Sequence, residues 1–186
     1  EERLAGEGRK RREILDKLAA LNMTFSFGAI SWPGVDAELE AYVELHNSYP
    51  SVIVLDNLMD IEGTASDYTM QMEAMQSISD LSRTTGATVL VLHHASDKSW
   101  EAKSDPWVPP SRDQVKGGLS EKPELSLSIA LDPTSFDCNI AVIKQRMGPC
   151  DPTARQYATI TSIPSQTRYV EKVYHPHHTA PTEFVV

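Results

Sequence analysis

Two short apolar runs, each closing on a polar side chain, constrain this chain more than any other feature. Ser51–Asn57 reads "SVIVLDN", four apolar residues delivered into Asp56 and Asn57, and Ala87–His94 reads "ATVLVLHH", an equivalent run ending on His93 and His94. Runs of this length, rich in β-branched residues and bounded by Pro50 and Gly86, are the pattern of strands buried on both faces, as in a parallel sheet. Between them Met70, Ala74, Ile78 and Leu81 recur at helical spacing from a start at Asp67 or Thr69 to a stop at Gly86. Strand, helix, strand is a βαβ unit, and in open α/β sheets ligands gather at the carboxyl ends of the strands, where Asp56 and His93 stand. Alone, an aspartate there is more often a cap for the next turn than a ligand.

The flanking segments extend the alternation. Ile14, Leu18 and Leu21 give Arg9–Leu21 one apolar face on a charged background, the pattern of an amphipathic helix. "MTFSFGAI", Met23–Ile30, alternates like a strand, and Asp36 is the expected cap of a helix carrying Leu39, Val43 and His46. Residues 95–118 hold prolines and tryptophans without periodicity, a loop long enough to suggest function. Beyond it Leu125–Leu131, Asn139–Lys144, Tyr157–Ile163 and Tyr169–Tyr174 read as strands, the last two as a hairpin across "PSQT". The expected fold is α/β, a mainly parallel sheet flanked by helices with a C-terminal antiparallel hairpin, occupying residues 1–174 ahead of a disordered tail, 175–186.

Composition narrows the function classes. A chain of 186 residues with 40% hydrophobic and 23% charged residues is one globular domain long. No apolar run approaches the ~20 residues a membrane-spanning helix needs. A net charge of −9 disfavours coating by nucleic acid, so any such binding must come from a local basic patch. Two cysteines without C-x-x-C spacing fit a reducing, cytoplasmic setting. The chain opens on Glu1 rather than Met, as expected of a piece of a longer protein.

Three strand ends, Asp56, His93-His94 and Lys144-Gln145-Arg146 ahead of Met147-Gly148-Pro149, together resemble the motor domain of RecA-like hexameric helicases, of the replicative (DnaB) and plasmid RepA types. "VIVLD" is similar to their Walker B strand, "VLVLHH" to the strand ending in a sensor, and "IAVIKQRMGP" to the K-x-R-x-G-P motif. The resemblance implies a P-loop NTPase core, ATP or another NTP with Mg²⁺, a ring of subunits, single-stranded DNA in its channel, and a primase or loader as further partners. It also assigns roles. Asp56, beside Asn57, would hold Mg²⁺ through water; His93 would sense the γ-phosphate; Lys144 and Arg146 would reach a neighbouring subunit's nucleotide. "LAGEG", Leu4–Gly8, resembles the second strand of the RepA type, which makes Glu7 the catalytic base. Residues 95–118 occupy the place of a DNA-facing loop, with Lys116 as the preferred backbone contact beside Lys98, Lys103 and Arg112.

One part is missing from the pattern: no G-x-x-x-x-G-K-S/T occurs. In the family that loop and the first strand lie just upstream of the segment matching Leu4, so truncation is the expected explanation, and this piece alone is expected to be inactive. The alternatives are a RecA-fold subunit without activity that serves assembly or regulation, and a transition-metal site at Asp56, His93 and His94. Adjacent histidines on a strand point to opposite faces, which disfavours the metal site. Period-2 geometry puts Lys144 and Arg146 on one face with Gln145 opposite. The plainer role for both is a solvated basic pair, and for Trp100 and Trp107 it is packing of the loop onto its own domain rather than stacking on bases.

Overall fold

A computed structural model describes residues 2–64, 68–95 and 107–172. The chain divides into two compact units, Glu1–Leu92 and His93–Val186.

In the first unit, helix α1 (Glu2–Ala19) runs through the segment expected as the Leu4–Gly8 strand. The charged sequence after Gly8 propagates helix: Lys17 Nζ lies 2.8 Å from Glu13 Oε1 one turn away, an i,i+4 pair that favours the helical state. Ile14, Leu18 and Leu21 remain about half exposed. Met23–Ile30 forms no strand. Only Ile30 pairs, in a parallel bridge to Ile61, while Phe25 and Phe27 stack on each other in solvent with ring centroids 6.2 Å apart. Alternation supplies a strand's faces, but a ladder needs a partner backbone, and among the described residues this segment has none before Ile30.

Helix α2 (Trp32–His46) is capped by Ser31, not Asp36: the Ser31 hydroxyl accepts from Gly34 N at 3.3 Å, and Pro33 sits in the first turn where its missing N–H costs nothing. Strands β1 (Val52–Leu55) and β2 (Thr88–Val91) pair in parallel, Val52 opposite Thr88 and Leu55 opposite Val91. Helix α3 (Tyr68–Thr85) joins them, burying Gln71, Ala74, Met75 and Ile78, and ends at Gly86, whose φ of +71° is the left-handed turn a glycine accepts without strain. The two strands are not buried on both faces. Ile53, Leu55, Val89 and Val91 are half-buried, whereas Val52, Val54 and Leu90 are 50–57% exposed, because among the described residues α3 covers one face only.

The second unit is an antiparallel sheet, β3 (Leu125–Leu131), β4 (Asp137–Gln145), β5 (Ala158–Ile163) and β6 (Arg168–Glu171), ordered as in the chain. A mainly parallel sheet is therefore corrected to one parallel pair and four antiparallel strands. The cause is chain length: Asp132–Phe136 between β3 and β4 is a hairpin turn, far too short for the crossover that parallel pairing needs. The hairpin across Pro164–Thr167 forms as expected. On one face Ala141, Ile143 and Ala154 pack with Val115 and Tyr157. Asn139, 8% exposed, is held there, donating to Trp107 O at 2.8 Å and accepting from Thr159 Oγ1 at 2.7 Å. The other face leaves Leu125, Leu127, Ile129 and Leu131 about half exposed.

Candidate functional site

The carboxyl edge of the parallel pair is built by backbone first. Leu92 N donates to Leu55 O and Leu58 N donates to Leu92 O, both at 3.0 Å, so the chain leaving β1 is stitched to the chain leaving β2. The next residue after β1 is Asp56, exposed, and its carboxylate makes no hydrogen bond or ion pair among the described residues. The turn cap is its neighbour: Asn57 Oδ1 accepts from Met59 N at 2.8 Å and Asp60 Oδ2 accepts from Asn57 N at 3.0 Å. This reciprocal capping box commits the Asn57 side chain to the loop and, among the described residues, leaves Asp56 uncommitted. The peptide bond between the two is cis.

Behind this edge the loop is locked by a node that apolar periodicity does not show. Thr64, 1% exposed, directs its hydroxyl at Leu58 O and Ile61 O, each 2.7 Å away, and Gln71 Nε2, 2% exposed on α3, donates to Thr64 O at 2.8 Å. A glutamine on the buried stripe of a helix is the signal that would have found it, since a buried amide must be satisfied.

β2 ends at Val91, and after Leu92 the chain reaches His93, half-buried, the first residue of the second unit, and His94, exposed. A single carboxylate completed by water suits Mg²⁺, which keeps most of its hydration shell. Among the described residues no group of three or more His, Cys, Asp or Glu is placed to hold a metal, so the transition-metal arrangement gains nothing.

At the far end of β4 the cations gather. A bulge between Ser126 and Leu127 of β3 sets Ile143 as the extra residue of β4 and re-aims the end of that strand. Lys144 Nζ donates to Glu121 O. Burial, then the nearby Arg146 and Arg112, push the Lys144 pKa down, with Glu121 and Glu124 opposing. Arg146 lies beyond the strand end, 57% exposed, its Nη1 2.9 Å from Glu124 Oε1. It is not buried within its own unit. Gln145 folds over Gly148, where a Cβ would come within 2.7 Å of the amide nitrogen of this exposed side chain and would turn it aside.

The remaining expected residues scatter. Glu7 lies within α1 rather than at a strand end. Lys98 and Lys103 fall outside the described residues, and Lys116 opens a 3-10 turn, Lys116–Glu121. Arg112 is joined to Glu121 at 2.7 Å and to Ser120 Oγ at 3.4 Å. Trp107 is half-buried, with its carbonyl held by Asn139. No helix among the described residues is long and apolar enough to cross a membrane.

Comparison with known proteins finds relatives in phages. Over 158 residues, 81% of this chain, the sequence is 26% identical to the Gene 65 protein of Mycobacterium phage D29 and 25% identical to the Gene 65 protein of Mycobacterium phage L5. The match spans 66% of the first relative's length and 58% of the second's. No family model matches the chain.

Proposed function

We propose that this chain belongs to the RecA-like motor of a phage or bacterial DNA helicase, hydrolysing ATP with Mg²⁺ between the subunits of a ring. The observation that carries the reading is Asp56: an exposed carboxylate, without a bond among the described residues, at the carboxyl edge of a parallel strand pair whose second strand ends at Val91, two residues before His93. Asp56 would hold the Mg²⁺ of the nucleotide through water. The ion, when bound, neutralises charge on the β- and γ-phosphates. His93 would sense the γ-phosphate. Lys144 and Arg146, the latter exposed and tied to an exposed glutamate, would offer positive charge to a neighbouring subunit's phosphates. The base role of Glu7 depended on a strand that is helix, and the reading does not use it.

Single-stranded DNA is the proposed track, with Lys98, Lys103 and Lys116 as its backbone contacts; a primase or loader is a proposed partner. The relatives' phage origin supports the phage setting. The second reading, an inactive RecA-fold assembly subunit, is favoured by one observation, the missing G-x-x-x-x-G-K-S/T in this sequence.

Steady-state ATP hydrolysis by the complete protein separates them. The motor predicts Mg²⁺-dependent turnover that Asp56→Asn reduces to background. Arg146→Ala is expected to cost on the order of 10³-fold in turnover while leaving nucleotide affinity within a few-fold. No turnover in the unmodified complete protein would establish the inactive subunit, and turnover indifferent to Asp56→Asn would refute the site.

A further inference from the structure

The second unit contains a cavity of about 640 Å³ whose walls come from two stretches far apart in sequence, Ser111–Glu121 and Pro152–Arg155. Arg112 N donates to Pro152 O at 2.8 Å and ties the two together. Two guanidinium-bearing residues line it, Arg112 from one stretch and Arg155 from the other.

The cavity's polar groups are disposed for an anion. The backbone N–H of Arg155 donates to Asp151 Oδ2 at 2.8 Å, which holds this residue's backbone in the wall, while its guanidinium makes no ion pair among the described residues. Arg112 is braced by Ser120 and by Glu121, whose side chain is 68% exposed; an ion pair open to water on that scale is weak and exchangeable for a stronger acceptor. Ser120, 4% exposed, accepts from Arg112 Nε, which leaves its own O–H to donate. Against these stand two carboxylates: Glu121 is engaged by Arg112, and Asp113 is exposed at the wall. Lys144 adds positive charge next door, and Arg112 contributes to lowering its pKa. Among the described residues no aromatic side chain lines the cavity.

We propose that this cavity is a phosphoryl-binding subsite in which Arg112 and Arg155 grip a phosphate group from the two stretches and the Ser120 hydroxyl donates a further bond. Planar guanidinium forks match phosphate oxygens in pairs, and such charge-assisted bonds are the strong ones. The ligand chemistry is a compact polyphosphate, either free or the terminal phosphates of a nucleotide. The subsite stands on the second unit alone and is independent of the motor reading.

Calorimetric titration of the protein with sodium pyrophosphate at low ionic strength tests it. Saturable one-to-one binding is expected, weakened about tenfold or more by Arg155→Gln and by Arg112→Gln, and unchanged within about twofold by the same charge change at Arg83 on α3. Arg155 is exposed and its side chain makes no bond among the described residues, so its variant reports on binding even if Arg112→Gln disturbs the fold. Competition by ATP assigns the phosphoryl group to a nucleotide, and its absence assigns it to free polyphosphate; either result keeps the subsite. No saturable binding, equal affinity in Arg155→Gln, a loss produced solely by Arg146→Gln, or binding of a thymidine oligonucleotide where pyrophosphate does not bind would each overturn it.

Discussion

Replacing Gln71 by leucine should loosen the loop behind Asp56 without disturbing the antiparallel sheet. Gln71 Nε2 is the side-chain donor to Thr64 O, and both residues are at most 2% exposed, so the substitution removes one bond and leaves a carbonyl without it where water does not reach. Leucine fills most of the vacated volume, which keeps the packing term small. The unsatisfied acceptor is then the main cost, about 1–3 kcal/mol. A loss of about 2 kcal/mol corresponds to a 30-fold larger population of the opened loop. Native-state hydrogen exchange reads this at four amides that close the loop: Leu58 to Leu92 O, Asp60 to Asn57 O, Ile61 to Leu58 O and Thr64 to Ile61 O. They should accelerate together by that factor, while amides of β4 keep their rates. Unchanged exchange at the four positions would show that the Gln71–Thr64 bond does not hold the loop; equal acceleration in β4 would show that it is not local.

Ile143, 1% exposed at the bulge, packs with Ala141 and Ala154, so Ile143→Ala should cost about 2–5 kcal/mol, read as a lowered urea midpoint, with a change under about 1 kcal/mol contradicting its place in the core. Asn57→Ala should cost about 1 kcal/mol of local stability by removing the cap, whereas Asn57→Asp keeps the acceptor and should be nearly neutral; equal losses would refute the capping box. Asp151 is held below the usual carboxylate range, first by the Thr153 hydroxyl and also by the backbone N–H groups of Gln156, Thr153 and Arg155. Because its folded-state pKa is depressed, the stabilisation is complete above the ordinary carboxylate range, near pH ~4, and is lost as pH falls through the lower folded value. Amide shifts of Thr153, Arg155 and Gln156 should therefore move together only in that acid window, and a transition near neutrality would contradict the assignment.

Much of the architecture is legible in the sequence because apolar runs and helix stops are local signals. β1, β2, α3 with its Gly86 stop, and β3 to β5 fall where the pattern puts them. Pairing direction does not, although its cue is present: Asp132–Phe136 is too short to carry a crossover. The alternation of Met23–Ile30 and the match of Leu4–Gly8 to a strand fail for a different reason, since neither reports whether a partner backbone exists. Of the site, Asp56 at a strand end is readable, but the division of labour with Asn57 is not, because it depends on which of two adjacent polar groups meets the turn's N–H groups. Arg112 and Arg155 share a cavity only through the fold of two separate turns, and no spacing in the sequence announces that.

The most direct test of the central claim is hydrolysis by mixed rings of the complete protein, in which Asp56→Ala and Arg146→Ala subunits, each inactive alone, are combined in equal amounts. If Asp56 serves the nucleotide in one subunit and Arg146 serves it from the next, random assembly leaves about a quarter of the head-to-tail interfaces with both groups intact, and ATP turnover should recover toward that fraction. A mixture as inactive as its components, under conditions where rings form, would contradict the account.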